Sequence, residues 1–195
     1  MQRAPLTRAL LVERALAIVD RDGLDALTMR RLAADLGVKA ASLYNHVSGR
    51  DDLLDGAVRL VRAEMRLPEA PPDDWREMLG AIYTEYLRVL ARHPNLVPLA
   101  GRRTPGEEVS GLEYLTRVGF APRDAVRLWQ SLTALVTGFA MFRSGYAASD
   151  ARGLPAGLAD QAGAWREETC TEAVRLLMDA FELRRGGTAK ENEVR

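Results

Sequence analysis

Cysteine is nearly missing: Cys170 is the single one among 195 residues, so no internal disulfide can form and no thiolate cluster can hold a metal. Histidine is almost as scarce, and His46 and His93 stand far apart. Without a nucleophile beside a base, a ligand cluster or a phosphate-cradling glycine loop, no catalytic set is legible. The chain is expected not to be an enzyme and to need neither metal nor cofactor. Long apolar runs are missing too. No stretch approaches the roughly 18 residues that read as a membrane span, and the opening MQRAPLTRALLVERAL carries charges where a leader peptide needs an apolar centre. A cytoplasmic protein without a membrane segment is therefore expected.

Net charge is the next absence. The 27 basic residues balance 27 acidic ones, which taken over the whole chain argues against a nucleic-acid partner. Lysine supplies only Lys39 and Lys190, a compositional bias without mechanistic content. No segment alternates as a strand does. What remains is an ordinary globular composition, 47% hydrophobic and 28% charged, in a chain long enough to bury a core.

Almost all of it is written in helical periods. Val12, Ala15, Leu16 and Val19 mark the apolar face of a first helix that Gly23 can end. Thr28 is placed to cap a second, with Met29, Leu32 and Leu36 on one face and Gly37 as its stop. A short third helix is expected from Lys39 to Val47, with Leu43 and Val47 inward. Ser48, with Asp51 three residues on, has the form of a capping box for a fourth helix running through Leu54, Ala57, Val58, Val61 and Met65.

The run Leu67-Pro68-Glu69-Ala70-Pro71-Pro72-Asp73-Asp74 cannot continue a helix, and a domain boundary is placed there. Beyond it Trp75, Leu79, Ile82, Tyr86 and Leu90 mark a fifth helix ending at His93-Pro94, and Leu96 to Gly101 a short sixth. Thr104-Pro105-Gly106-Glu107 reads as the capped start of a seventh, closed by Gly119. From Pro122 to Phe142 apolar residues cover more than one face, and after the loop SGYAASDARGLPAG a last helix carries Trp165, Ala173, Val174, Leu177, Met178 and Phe181. Helices apolar on several sides must be buried on several sides, which for a small protein suggests a second copy of the chain. The polar segment 185–195 is expected to be a disordered tail. The expected fold is all-α with about nine helices: a helix-turn-helix unit over 1–50, a connecting helix over 51–67, and a second helical domain over 68–184.

Two helices joined at a glycine turn are the form of a helix-turn-helix, whose second helix enters the major groove. With Leu43 and Val47 as anchors, Lys39, Ala41, Ser42, Asn45 and His46 face outward and are small or polar enough to approach base edges. Arg30, Tyr44 and Arg50 suit phosphates. The local charge agrees: Arg30, Arg31, Lys39 and Arg50 stand against Asp35 alone between Thr28 and Arg50. On turn geometry alone the same residues could equally be the polar surface of a helical bundle.

The run LTMRRLAADLGVKAASLYNHVSGRDDLLDGA resembles the DNA-binding domain of the TetR family of bacterial transcription regulators over roughly the first 65 residues. Trp75, the His93-to-Pro105 spacing and the Gly119-Phe120 turn are similar, more weakly, to the regulatory domain of its tetracycline-repressor subgroup. The resemblance implies a homodimer, paired through the last two long helices, that binds double-stranded operator DNA and a small-molecule inducer. It places Arg30, Ala40, Ala41, Ser42, Tyr44, Asn45, His46 and Arg50 at the DNA, and Thr28 and Lys39 are expected to join them. A helical dimer acting through a protein partner without DNA is the alternative.

For the inducer, the expected contacts are Arg66, Tyr83, Tyr86, His93, Arg103, Trp129, Thr133, Phe139 and Met141, with Arg102 as a further polar candidate. Most of the aromatics read equally as core, and His93 as a helix-end residue whose ring meets the last carbonyls. Arg66 is the favoured polar contact, needing Glu64, Glu85 or a ligand carboxylate if buried. Arg66, Ile82, Tyr86, Ala100 and Arg103 stand where the subgroup places its drug and magnesium contacts; without the asparagine and histidine found there, the inducer is expected to be largely apolar and not a tetracycline-magnesium complex. Asn45 replaces a large aromatic in the recognition helix, so the operator sequence does not carry over.

Overall fold

A computed structural model describes residues 5–69, 72, 74–102, 107–146 and 166–192. Within them are eight α-helices, α1 (Arg8–Asp22), α2 (Met29–Leu36), α3 (Ala40–Leu43), α4 (Arg50–Arg62), α5 (Trp75–Arg92), α6 (Glu107–Arg117), α7 (Pro122–Tyr146) and α8 (Glu167–Asn192), with 3₁₀ segments at Leu24–Ala26 and Pro94–Leu99. No strand occurs among the described residues, in keeping with the all-α expectation. Among the described residues no helix is long and apolar enough to cross a membrane.

The caps largely follow the sequence. Thr7 and Thr28 accept from the backbone N–H three residues on, at 3.2 and 3.1 Å, and open α1 and α2. Gly37 ends α2 at φ 62°, a left-handed turn that glycine adopts without a Cβ penalty, and Val38 N–H closes it on Ala33 O at 2.9 Å. Three expectations need correction. The regular part of α3 is a single turn; bonds from His46 and Val47 N–H to Leu43 O carry the chain on as turns. The fourth helix is not boxed by Ser48 and Asp51: Gly49 is its cap, and Asp52 reaches back to the Ser48 N–H at 3.0 Å. Starting the helix one residue later makes Asp52 the third helical residue, the position from which a carboxylate can turn back. Finally, α8 continues to Asn192, through most of the segment expected to be a tail. Arg185, donating to Val118 O at 2.7 Å and to Glu182 at 2.8 Å, holds the helix to the bundle where a fray was expected. Residues 104–106 and Trp165 lie outside the described residues.

Two cores result. The first gathers α1 to α4 around Leu11, Ile18, Leu32, Leu43, Leu53 and Leu54. The second gathers α5 to α8 around Leu79, Tyr83, Leu115, Leu128, Leu132 and Val136. They are tied together, because Val89 of α5 and Leu96 of the following 3₁₀ segment are buried in the first core. Close approach of α1 to α4 depends on Gly56, where a Cβ would meet Val12 Cγ2 at 2.6 Å.

Candidate nucleic-acid interface and effector cavity

In α3 the side chains sort by depth. Leu43 is fully buried and Val47 nearly so, while Lys39, Ala41, Tyr44 and Asn45 are exposed and Ala40, Ser42 and His46 are half-buried. Two anchors hold a short segment whose remaining faces reach solvent. Truncating Leu43 to alanine would remove the larger anchor, at about 2–5 kcal/mol for a buried leucine. Thr28 and Arg30 are exposed at the start of α2, on the edge beside the turn. The neighbouring Arg31 is drawn back to Asp22 at the end of α1.

Arg50 behaves differently from its expected role at phosphates. Its Nε donates to Leu27 O at 2.9 Å and its Nη2 to Leu24 O at 2.8 Å, so two of its donors lock the 3₁₀ segment before α2 onto α4. A cation at the start of a helix opposes the helix dipole, and these two carbonyls offset that. Nothing in local periodicity marks this, since the carbonyls lie 23 and 26 residues earlier.

The residues expected around an inducer do not converge on one cavity. Tyr83 OH lies 3.1 Å from Trp129 O and 3.0 Å from Thr133 Oγ1, and Tyr86 OH donates to Ala100 O at 3.3 Å. With Phe139 buried beside them, these groups close the α5–α7 seam as core. Burial pushes the Tyr83 phenol well above its ordinary range. Met141 is 51% exposed on the outer face of α7, at a register that turns it away from α5. Arg66 is exposed as well: it follows the end of α4, and it is its backbone N–H, not its guanidinium, that donates to Glu85, at 2.8 Å. The Glu85 carboxylate is held below its usual range by Arg88 first and then by that N–H. His93 does not meet the last carbonyls of α5; both ring nitrogens are taken by carboxylates of the first half. Arg103 lies outside the described residues.

A cavity of about 390 Å³ does open, on another side of α5, between α5 and α8. Gly80, Tyr83, Thr84 and Leu87 line it from α5, Val136 from α7, and Cys170, Val174 and Met178 from α8, with Arg76, Glu77, Arg175 and Asp179 at its rim. Of the expected contacts among the described residues, only Tyr83 belongs to it. A Cβ at Gly80 would meet nothing within 4 Å, so this glycine keeps space open in the wall. The apolar side of α8 was visible in the sequence, but not that part of it faces a void.

The two halves also meet through polar bonds that sequence reasoning missed. Arg102 reaches Asp55 at 2.6 Å and Asp51 at 3.1 Å on α4, and Arg62 of α4 donates back to the carbonyls of Ala100 and Arg102 at 3.0 and 3.1 Å.

A family model described as bacterial regulatory proteins, tetR family, matches residues 11–57, the stretch that builds the first core. An HTH-type transcriptional regulator of Saccharopolyspora erythraea is 34% identical over 161 residues, covering 80% of this chain and 68% of that protein. The chain belongs to the TetR family. Similarity within the TetR family extends to the tetracycline repressor protein class A from transposon 1721 of Escherichia coli, 26% identical over 179 residues, 88% of this chain and 79% of that one. Among solved structures, apo ActR of Streptomyces coelicolor is 28% identical and superposes with a TM-score of 0.80 over 96% of this chain and 100% of its own; ActR has also been solved in complex with actinorhodin. TetR-family members are non-enzymatic transcription factors, and this chain is a DNA-binding regulator of that kind.

Proposed function

We propose that the chain is a homodimeric repressor that holds a palindromic operator and releases it when a small, largely apolar inducer binds. The observation that carries this reading is the α2–Gly37–α3 unit, in which two buried anchors leave Lys39, Ala41, Tyr44 and Asn45 exposed with Arg30 beside them. Val126 and Met141 on α7, with Leu176 and Leu183 on α8, are exposed apolar side chains and support pairing through these two helices. Two copies would then set α3 in successive major grooves roughly 34–36 Å apart. Its place of action is the cytoplasm, beside the DNA it reads.

The α5–α8 cavity is where the inducer is expected, its apolar walls matching a molecule of that character. ActR, known in complex with actinorhodin, supports a small-molecule ligand for this chain. Ile82 and Ala100 offer no metal ligand, which supports an inducer other than a tetracycline-magnesium complex. An inducer shifts the balance only by its differential affinity for the two arrangements of the heads; the bonds from Ala100 and Arg102 to α4 give it a path.

Selection from a random duplex library, followed by affinity against salt, tests the reading. A two-fold symmetric duplex bound by two chains, with affinity falling steeply as salt rises, is the expected result. No preferred duplex, or an affinity indifferent to salt, would favour the helical dimer that acts through a protein. For the cavity, Gly80→Leu fills the void; it should leave operator binding in place and abolish release by any compound that frees the wild type.

A further inference from the structure

At the end of α5 a small polar group reaches across to the reading half. His93 is 7% exposed, and its Nδ1 lies 2.9 Å from Oδ2 and 3.0 Å from Oδ1 of Asp20, near the end of α1. Its Nε2 lies 3.3 Å from Oε2 of Glu64, just past α4. Two residues on, Asn95 Nδ2 donates to the carbonyls of Val19 and Asp20 at 2.9 and 3.0 Å, the first of which also accepts the Gly23 N–H at 2.8 Å. From α5 itself, Arg92 pairs with the Glu64 carboxylate at 2.8 Å and Arg88 donates to the Glu64 carbonyl at 3.0 Å.

One buried ring therefore joins three elements, α1, the segment after α4, and α5. Apolar packing brings α1 and α5 together through Val89 and Leu96, but such packing is non-directional and fixes no angle. Hydrogen bonds from both edges of a planar ring do fix one. We propose that His93 is a positioning residue for DNA recognition: it sets the angle at which the α1–α4 head is carried on α5, and so the separation of the two reading segments in the dimer. The proposal rests on the two-headed reading above. A neutral imidazole donates from one nitrogen only, so donation to both carboxylates needs a charged ring. The charged groups facing the ring are Asp20 from α1, Glu64 after α4, and Arg88 and Arg92 from α5, the last two acting on Glu64.

The test uses the full-length chain and the selected operator, with half-site spacing kept or changed by one base pair in either direction. The wild type should bind the original spacing about tenfold or more tightly than either altered one, a difference of about 1.4 kcal/mol or more. In His93→Ala that discrimination should shrink to about threefold or less, the loss falling on the original spacing while affinity for random duplex stays put, since phosphate contacts do not depend on head separation. His93→Gln, which can serve one carboxylate, should fall between. Asp20→Asn should act in the same direction and add little to His93→Ala, as partners in one bond do; it carries the test if His93→Ala folds poorly. An equal loss on every duplex in His93→Ala would show a merely structural residue and overturn the proposal, as would discrimination left intact. A wild type without any spacing preference would overturn the two-headed reading and this proposal with it.

Discussion

At the scale of single residues, depth separates the roles. Arg30 is exposed beside the turn and Asn45 on the segment after α3, so they can do different things at a duplex. Arg30→Ala should weaken binding to every sequence alike and lower the salt slope by about one unit, whereas Asn45→Ala should change preference at particular bases, by about 1–3 kcal/mol each. Affinities on operator and random duplex across a salt series check both; equal effects on the two duplexes from both variants would sink this assignment. Cys170 lies in the cavity wall, and burial, with Glu167 nearby, pushes its thiol up to about 11. The thiolate is the reactive form, so iodoacetamide should label native Cys170 at pH 7 far more slowly than the unfolded chain; labelling at matching rates would show that the α5–α8 seam opens freely. The anchors Leu43 and Val47 were legible because an inward face repeats with the helix. Arg50, Arg66 and His93 were not, since an arginine bonded to carbonyls and one in water look alike in a string.

At the scale of elements, two packing details carry measurable consequences. Gly56→Ala would gain up to about 1 kcal/mol of helix propensity, but the new Cβ would press on Val12, a stiff β-branched side chain in the core. We expect a net loss of about 1–3 kcal/mol, seen as a lower melting temperature; an unchanged or raised one would mean that α1 and α4 can move apart without cost. Asp52, at the start of α4, accepts from Arg8 of α1 and from the Ser48 N–H. Arg8 first and Ser48 second hold its carboxyl below the ordinary value of 3.8. A carboxyl depressed in the folded state stabilises above its unfolded value, and that contribution is lost as pH falls through the folded one. Denaturant midpoints measured from pH 6 down to 2 should therefore drop less steeply below about pH 4 in Asp52→Asn than in the wild type. Parallel curves would remove Asp52 from the acid response. Helix existence and the caps of α2 were legible at this scale, because Thr28 and Gly37 act on neighbours within a turn. The start of α4 was misplaced by one residue because Asp51 and Asp52 are equal candidates until the backbone chooses.

Over the whole molecule, the exposed apolar side chains of the last two helices and the joint between the halves matter most. The apolar excess on the last two helices was visible as residues covering more than one face, but which of them meet the bundle and which meet solvent was not: Leu128 is fully buried and Met141 half-exposed on the same helix. Periodicity, caps and the proline break establish an all-helical chain in two parts with a small helix held by Leu43 and Val47, because each of these signals acts within a few residues. The cavity behind Gly80, the closure of the α5–α7 seam by Tyr83 and Tyr86, and the reach of His93 to Asp20 across 73 positions belong to the fold alone. Bonds between distant segments leave no periodic trace; they exist only once hydrophobic burial has brought those segments side by side.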